Sequence, residues 1–125
     1  MLIAGEIVLQ MIEQVVPLTK AIACHSRSLA DQADRAADSA AMNYTEGMRR
    51  ENRDRANRLR IAIGSADELR MALRIALVRG YIGEADEALQ LIDRGIRLLY
   101  GLMRPNRPPT GTTSRARDRQ GPPSR

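Results

Sequence analysis

The sequence predicts an all-α protein: an antiparallel up-down-up-down four-helix bundle over residues 1–104, followed by a disordered basic C-terminal tail over 105–125. Three observations predict it. Apolar residues recur at three- and four-residue steps in four successive segments, and none alternates as a half-buried strand would. The connections between those segments are short, which makes consecutive helices antiparallel neighbours. Finally, 43% of residues are hydrophobic, yet there is no Phe or Trp and the only aromatics are Tyr44, Tyr81 and Tyr100. The core must therefore be built from Leu, Ile, Val, Met and Ala, which suits closely packed helices.

The first segment, 2–25, sets Ala4, Val8, Met11, Val15, Leu18 and Ile22 on one stripe, widened by Ile3, Ile7, Ile12 and Val16. A face this broad exceeds what a four-helix core needs, so Ile3, Ile7, Ile12 and Val16 are candidates for an oligomer interface. Pro17 lacks a backbone donor and crowds the preceding turn, which predicts a kink or a helix restarting there. Either Ser26 or Ser28 can cap the second helix, the latter in an approximate capping box with Asp31. Leu29, Ala33, Ala36, Ala37, Ala40, Tyr44 and Gly47 share its inner face, made mainly of methyl groups, and Gly47 is a candidate left-handed C-cap.

The third helix, roughly 50–79, has the cleanest period: Leu59, Ala62, Ala66, Leu69, Leu73 and Ala76 form a coiled-coil-like seam. Gly64-Ser65 interrupts good helix formers, which predicts a tight crossing by a neighbour. Gly80 ends this helix, and Tyr81-Ile82 begins a connection. The fourth helix, about 84–103, opens with Glu84, Asp86 and Glu87 and closes near Arg97 and Arg104, both ends suiting the helix dipole. Its buried stripe is Ala85, Ala88, Leu89, Ile92, Ile96, Leu99 and Met103. Beyond Met103 the chain turns to Pro, Gly, Thr, Ser and Arg, with no large aliphatic side chain to order it.

Basic and acidic side chains balance through Met103, so the whole net charge of +5 lies beyond it, where six arginines face Asp118 alone. Glu6 and Glu13 interrupt the apolar start, which excludes a membrane-spanning segment there, and the start lacks the basic region and cleavage site of a signal peptide. Cys24 is the single cysteine, so no intramolecular disulfide forms and a cytoplasmic location is expected. Cys24-His25 is too small a set for a structural zinc site. With no phosphate-binding glycine loop, nucleophile elbow or acid/base pair, the sequence offers no catalytic, metal or cofactor-binding residues, and a non-enzyme is expected.

Several motifs together resemble a known family. Gln32, Arg35-Ala36-Ala37, Ser39, Asn43, Glu46-Gly47 and the arginines that follow are similar to its "QIRRAA-S-NIAEG-R" signature. Ile61-Ala62, Gly64-Ser65-Ala66 and Glu68-Leu69 are similar to "IA-GS-EL", and Gly80-Tyr81-Ile82 to "GYI". The family is that of bacterial four-helix bundle proteins noticed in intervening sequences of 23S ribosomal RNA genes, also labelled S23. The resemblance implies a bundle that assembles as a homopentameric ring without known catalytic residues. It also implies structural roles for the motif residues Arg35, Asn43, Glu46, Gly47, Gly64, Ser65, Glu68, Gly80 and Tyr81. Relatives in fold include the accessory protein of diversity-generating retroelements, which binds a reverse transcriptase and nucleic acid. Ala40-Ala41 replaces the family's usual Ile-Pro, so the second helix should run straighter than in relatives with the proline.

Two basic regions could bind RNA or DNA phosphates through guanidinium contacts. One is Arg49, Arg50, Arg53, Arg55, Arg58 and Arg60, whose alternative is a solvated helix start neutralised by Glu46, Glu51 and Asp54. The other is the tail set Arg115, Arg117 and Arg119, equally a flexible electrostatic arm or a basic disordered tail without a ligand, or a recognition element for a folded protein partner. Glu46 is expected to pair with Arg35 or Arg50, and Asn43 to tie helix ends together by hydrogen bonds.

Overall fold

A computed structural model describes residues 2–104, with side chains from Ala4 onward; the tail expected over 105–125, with Arg115, Arg117 and Arg119, and the side chain of Ile3 lie outside the described residues. Four helices, α1 (Leu2–Ala23), α2 (Arg27–Met48), α3 (Asn52–Arg79) and α4 (Asp86–Met103), account for nearly all of it, and there is no strand among the described residues. Helix α1 packs on α2 and α4, and α3 packs on the same two, so α1 and α3 stand diagonally across the bundle. Direction alternates: Tyr44, late in α2, lies over Gly5, early in α1, and His25, just after α1, stacks on Tyr81, just after α3, with ring centroids 5.0 Å apart.

Every residue of the predicted α3 seam is buried, as is most of the α1 stripe. Pro17 neither ends nor restarts α1. It sits on the exposed side of one continuous helix, where its ring disturbs no core contact. Buried Thr19 is satisfied by donating from Oγ1 to the Val16 carbonyl at 3.2 Å. Of the two serines, Ser26 caps α2: its backbone is extended and its Oγ accepts from the Leu29 amide at 3.1 Å. Ser28 lies inside the helix, so its capping box with Asp31 does not form.

The α2 face carries Leu29, Ala30, Ala33, Ala36, Ala37, Ala40 and Gly47 into the core, and α2 runs unbroken through Ala40-Ala41. The expected left-handed cap at Gly47 is corrected: Gly47 is a buried helical residue, and a methyl group built on it would lie 3.0 Å from Leu59 Cδ2 and 3.3 Å from Arg58 Cβ. It is small because α3 presses against it. The left-handed conformation at this junction belongs to Asn52, with φ 55, a residue type that tolerates it.

Of the Gly64-Ser65 pair at which a tight crossing is expected, the serine makes it and the glycine does not. Gly64 is exposed and a methyl group there would meet nothing within 4 Å, whereas Ser65 is buried and its Oγ lies 2.7 Å from Ser39 Oγ on α2. Gly80 does end α3, with φ 77 and ψ 18, its amide bonding to the Leu77 carbonyl and that of Tyr81 to the Ala76 carbonyl. Helix α4 starts at Asp86, whose amide donates to Glu84 Oε1 at 3.0 Å. Its buried stripe includes Gly95, unforeseen in the sequence, where an added methyl would lie 3.7 Å from Ile7 Cγ2 on α1.

Candidate functional site

The six junction arginines divide into two groups. Arg50 forks onto Glu46 Oε2 through Nε at 3.0 Å and Nη2 at 2.6 Å. Arg55 Nε donates to the Arg50 carbonyl at 3.1 Å, which clamps the turn. Arg58 Nη1 donates to Asn43 Oδ1 at 3.3 Å, and Asn43 Nδ2 in turn donates to the Ser39 carbonyl at 2.9 Å and to Ser39 Oγ at 3.2 Å. Through Ser39 the chain continues to Ser65, so one polar line crosses the α2–α3 interface. The side chains of Arg49, Arg53 and Arg60 are exposed and form no hydrogen bond or ion pair among the described residues. Half of the run thus builds the junction, and half faces solvent.

Glu46 therefore pairs with Arg50, while the exposed side chains of Arg35 and Glu68 form no hydrogen bond or ion pair among the described residues. Hydrogen bonding from Arg50, helped by its charge and more weakly by those of Arg49 and Arg58, holds the Glu46 carboxyl below the ordinary glutamate range. The stabilisation is then fully present above that ordinary range and is lost as pH falls through the lowered value. An NMR titration of Glu46 should show the depressed midpoint, and Arg50→Ala should move it upward; a midpoint indifferent to Arg50→Ala would contradict the pairing. Both side chains are well exposed, so the effect on global stability is expected to be small.

Among the described residues there is no group of three or more His, Cys, Asp and Glu side chains able to hold a metal ion. Cys24 is exposed, and His25 is engaged by stacking on Tyr81, which fixes the α1–α2 turn against the α3–α4 connection. One polar cluster was not foreseen: Arg70 bridges Asp67 on its own helix and Asp93 of α4, the latter at 2.5 Å. Only the three-residue spacing of Asp67 and Arg70 signals it in the sequence.

The expected oligomer interface on α1 needs correction. Ile7 is only 4% exposed, packed toward Gly95 of α4, and Ile12 is half-buried; Val16, at 41%, remains available. The larger apolar surface lies on α3, where Ile61, Met71, Ile75 and Val78 are exposed, Val78 by 87%. Each sits two residues past a member of the α3 seam or its continuation, Leu59, Leu69, Leu73 and Ala76. That doubled three-and-four spacing was the overlooked signal. Arg74 and Arg79 flank Met71, Ile75 and Val78 around a shallow hollow of about 590 Å³.

A family model described as 23S rRNA-intervening sequence protein matches residues 4–101. This chain belongs to that family. The match spans all four helices of the bundle. A comparison with curated proteins finds none that matches the chain. Among solved structures, a protein of unknown function from the S23 ribosomal protein family of Bacteroides thetaiotaomicron superposes with a TM-score of 0.73 at 20% identity, covering 82% of this chain and 99% of that one. At that identity the likeness shows a shared fold. Within this family member, Asn43, Glu46, Gly47, Ser65, Gly80 and Tyr81 are the motif residues with visible structural work, while Arg35, Gly64 and Glu68 face solvent. No helix of the described residues is long and apolar enough to cross a membrane.

Proposed function

We propose that this family member is a non-catalytic, cytoplasmic assembly module that takes no cofactor and associates with itself, into a homopentameric ring as its sequence resemblance implies. The observation that carries this reading is the solvent-facing apolar strip of α3. Met71, Ile75 and Val78 lie within two turns on one side of a helix whose opposite side already fills the core. Burying such contiguous apolar surface is favourable by about 25 cal/mol per Å², and patches of this kind mark interaction sites. Native mass spectrometry of the full chain at micromolar concentration tests the reading. A pentamer is expected, and a monomer would sink it.

A second reading, in which the protein is an accessory factor that binds RNA or DNA phosphates and works beside a reverse transcriptase, rests on the topology. In an up-down-up-down bundle the end of α4 returns to the end that holds the α2–α3 junction. Arg104, where the basic tail continues, therefore leaves the bundle at the same end as solvent-facing Arg49, Arg53 and Arg60. Binding of RNA and DNA oligonucleotides should weaken steeply with added salt, and truncation after Met103 should weaken it further. Affinity that ignores salt would reject phosphate recognition.

A further inference from the structure

The side of the bundle shared by α3 and α4 is marked by Arg70, which reaches from α3 to Asp93 of α4 and holds Asp67 of its own helix. Arg60 and Arg53 lie seven and fourteen residues before Asp67, and Arg97, Tyr100 and Arg104 follow Asp93 by steps of four, three and four, so all five fall on this side. The two helices run antiparallel, and both sets lead from the Arg70 bridge toward the end that holds the α2–α3 junction. At about 1.5 Å per residue, Arg97, Tyr100 and Arg104 stand roughly 6, 10 and 16 Å beyond Asp93, and Arg60 stands about 15 Å beyond Arg70. Tyr100 therefore lies between Arg97 on one side and Arg60 and Arg104 on the other.

The free charge along this stretch is of one sign. The side chains of Arg53, Arg60, Arg97 and Arg104 are exposed and form no hydrogen bond or ion pair among the described residues. The nearest acids on the two helices are engaged elsewhere. Asp67 and Asp93 are held by Arg70 at the far edge, and Asp54 lies close enough to Arg50, toward α2, to support its charge. Helix stability does not account for Arg53, which occupies the first turn of α3, where the helix dipole disfavours a cation. Tyr100 is 56% exposed, whereas Tyr44 and Tyr81 are half-buried.

Resting on the phosphate reading above, we infer that this side of the bundle takes a single strand of nucleic acid, one base stacking on Tyr100 while Arg60, Arg97 and Arg104 hold the flanking phosphates. An exposed ring with guanidinium groups on both sides selects this ligand. The planar fork of arginine matches a phosphate, and successive bases offer a flat face to an aromatic ring whatever their sequence. In a duplex those faces are covered by stacked neighbours, so a duplex can use the arginines but not the ring. An acidic peptide answers the charge and brings no repeating planar group to Tyr100. Backbone charge and base faces are common to RNA and DNA, so the site reads strandedness and not the sugar.

The test measures binding of the full chain to oligothymidylate, to a DNA duplex of equal length and to polyglutamate. Tyr100→Ala should weaken the single strand about tenfold and leave the other two unchanged, while Tyr100→Phe keeps the parent affinity. The chain has no Trp, so tyrosine emission should fall when the single strand binds, and fall less in Tyr100→Phe. Arg97→Gln/Arg104→Gln should flatten the salt dependence of single-strand binding by about 1.4 in log–log slope, two phosphates at about 0.7 each. Salt-dependent binding that is indifferent to Tyr100→Ala, or weakened equally for all three ligands, overturns this inference and leaves phosphate recognition standing. So does an unchanged slope in the double variant, or a Tyr100→Ala chain that native mass spectrometry finds dissociated, which would assign Tyr100 to a contact between copies. A parent chain that binds neither nucleic acid overturns both readings.

Discussion

Replacing Leu69 by alanine is expected to destabilise the bundle by about 2–5 kcal/mol, among the largest losses available to a single truncation here. Leu69 is completely buried, in the middle of the α3 seam. The removed atoms lose their burial, and the remaining cavity adds to the loss unless neighbours move in. Apart from Leu29 and half-buried Tyr44 near its end, α2 offers methyl groups and glycine to the core, side chains that have no rotamers with which to fill a hole. Urea unfolding at one fixed protein concentration would measure it, since self-association shifts apparent stability by mass action. The midpoint should fall while the slope stays constant. A loss below about 1 kcal/mol would mean that the helices close over the cavity, contrary to the rigid packing described.

Gly47→Leu is expected to be comparably damaging, by about 3 kcal/mol, for the opposite reason. Even a single methyl at this position comes within 3.0 Å of Leu59 Cδ2 and 3.2 Å of Leu59 Cγ. Leu59 is itself fully buried, so it has nowhere to retreat, and the added branches would push α2 from α3. Gly47→Ala is the graded control. Alanine is favoured over glycine in a helix interior by about 1 kcal/mol, which offsets much of a crowding that one methyl produces. The leucine variant should therefore lose far more than the alanine variant in thermal unfolding. Equal losses in the two would show that backbone preference, and not contact with Leu59, makes glycine necessary.

The helices and the inner seams could be read from the sequence because burial imposes a period. Leu59, Ala62, Ala66, Leu69, Leu73 and Ala76 repeat with the turn of the helix, and a repeat of that kind has one physical explanation. Single residues were harder to read, because one letter serves two ends. Gly47 has the composition of a cap but the role of a spacer, and only the approach of Leu59 distinguishes them. Gly64 and Ser65 occupy adjacent places on α3, yet a rotation of about 100° between neighbours puts one in solvent and the other against Ser39. The functional surfaces were the least accessible of all. On α1 the apolar residues exceed one narrow stripe, and α4 takes up Ile7 because Gly95 leaves room for it, a contact between residues nearly ninety positions apart. The exposed strip on α3 escaped notice since Met71, Ile75 and Val78 repeat in step with the buried seam and merge with it by eye. The arginine run was visible at once as charge, but its division into Arg50, Arg55 and Arg58 that brace the junction and Arg49, Arg53 and Arg60 that do not depends on hydrogen bonds across a turn.

The same separation along the chain bears on the order in which the bundle comes together. Helices α2 and α3 make the most extensive pairing, they are adjacent in sequence, and the turn between them is braced by Arg55 and Asn43. Closing so short a loop forfeits little chain entropy, so this hairpin can form early. Helices α1 and α4 must meet from the two ends of the chain, so the approach of Ile7 to Gly95 closes a far longer loop. Their contact is therefore expected to form last and open first, and amide protons of α1 and α4 should exchange soonest below the global unfolding limit.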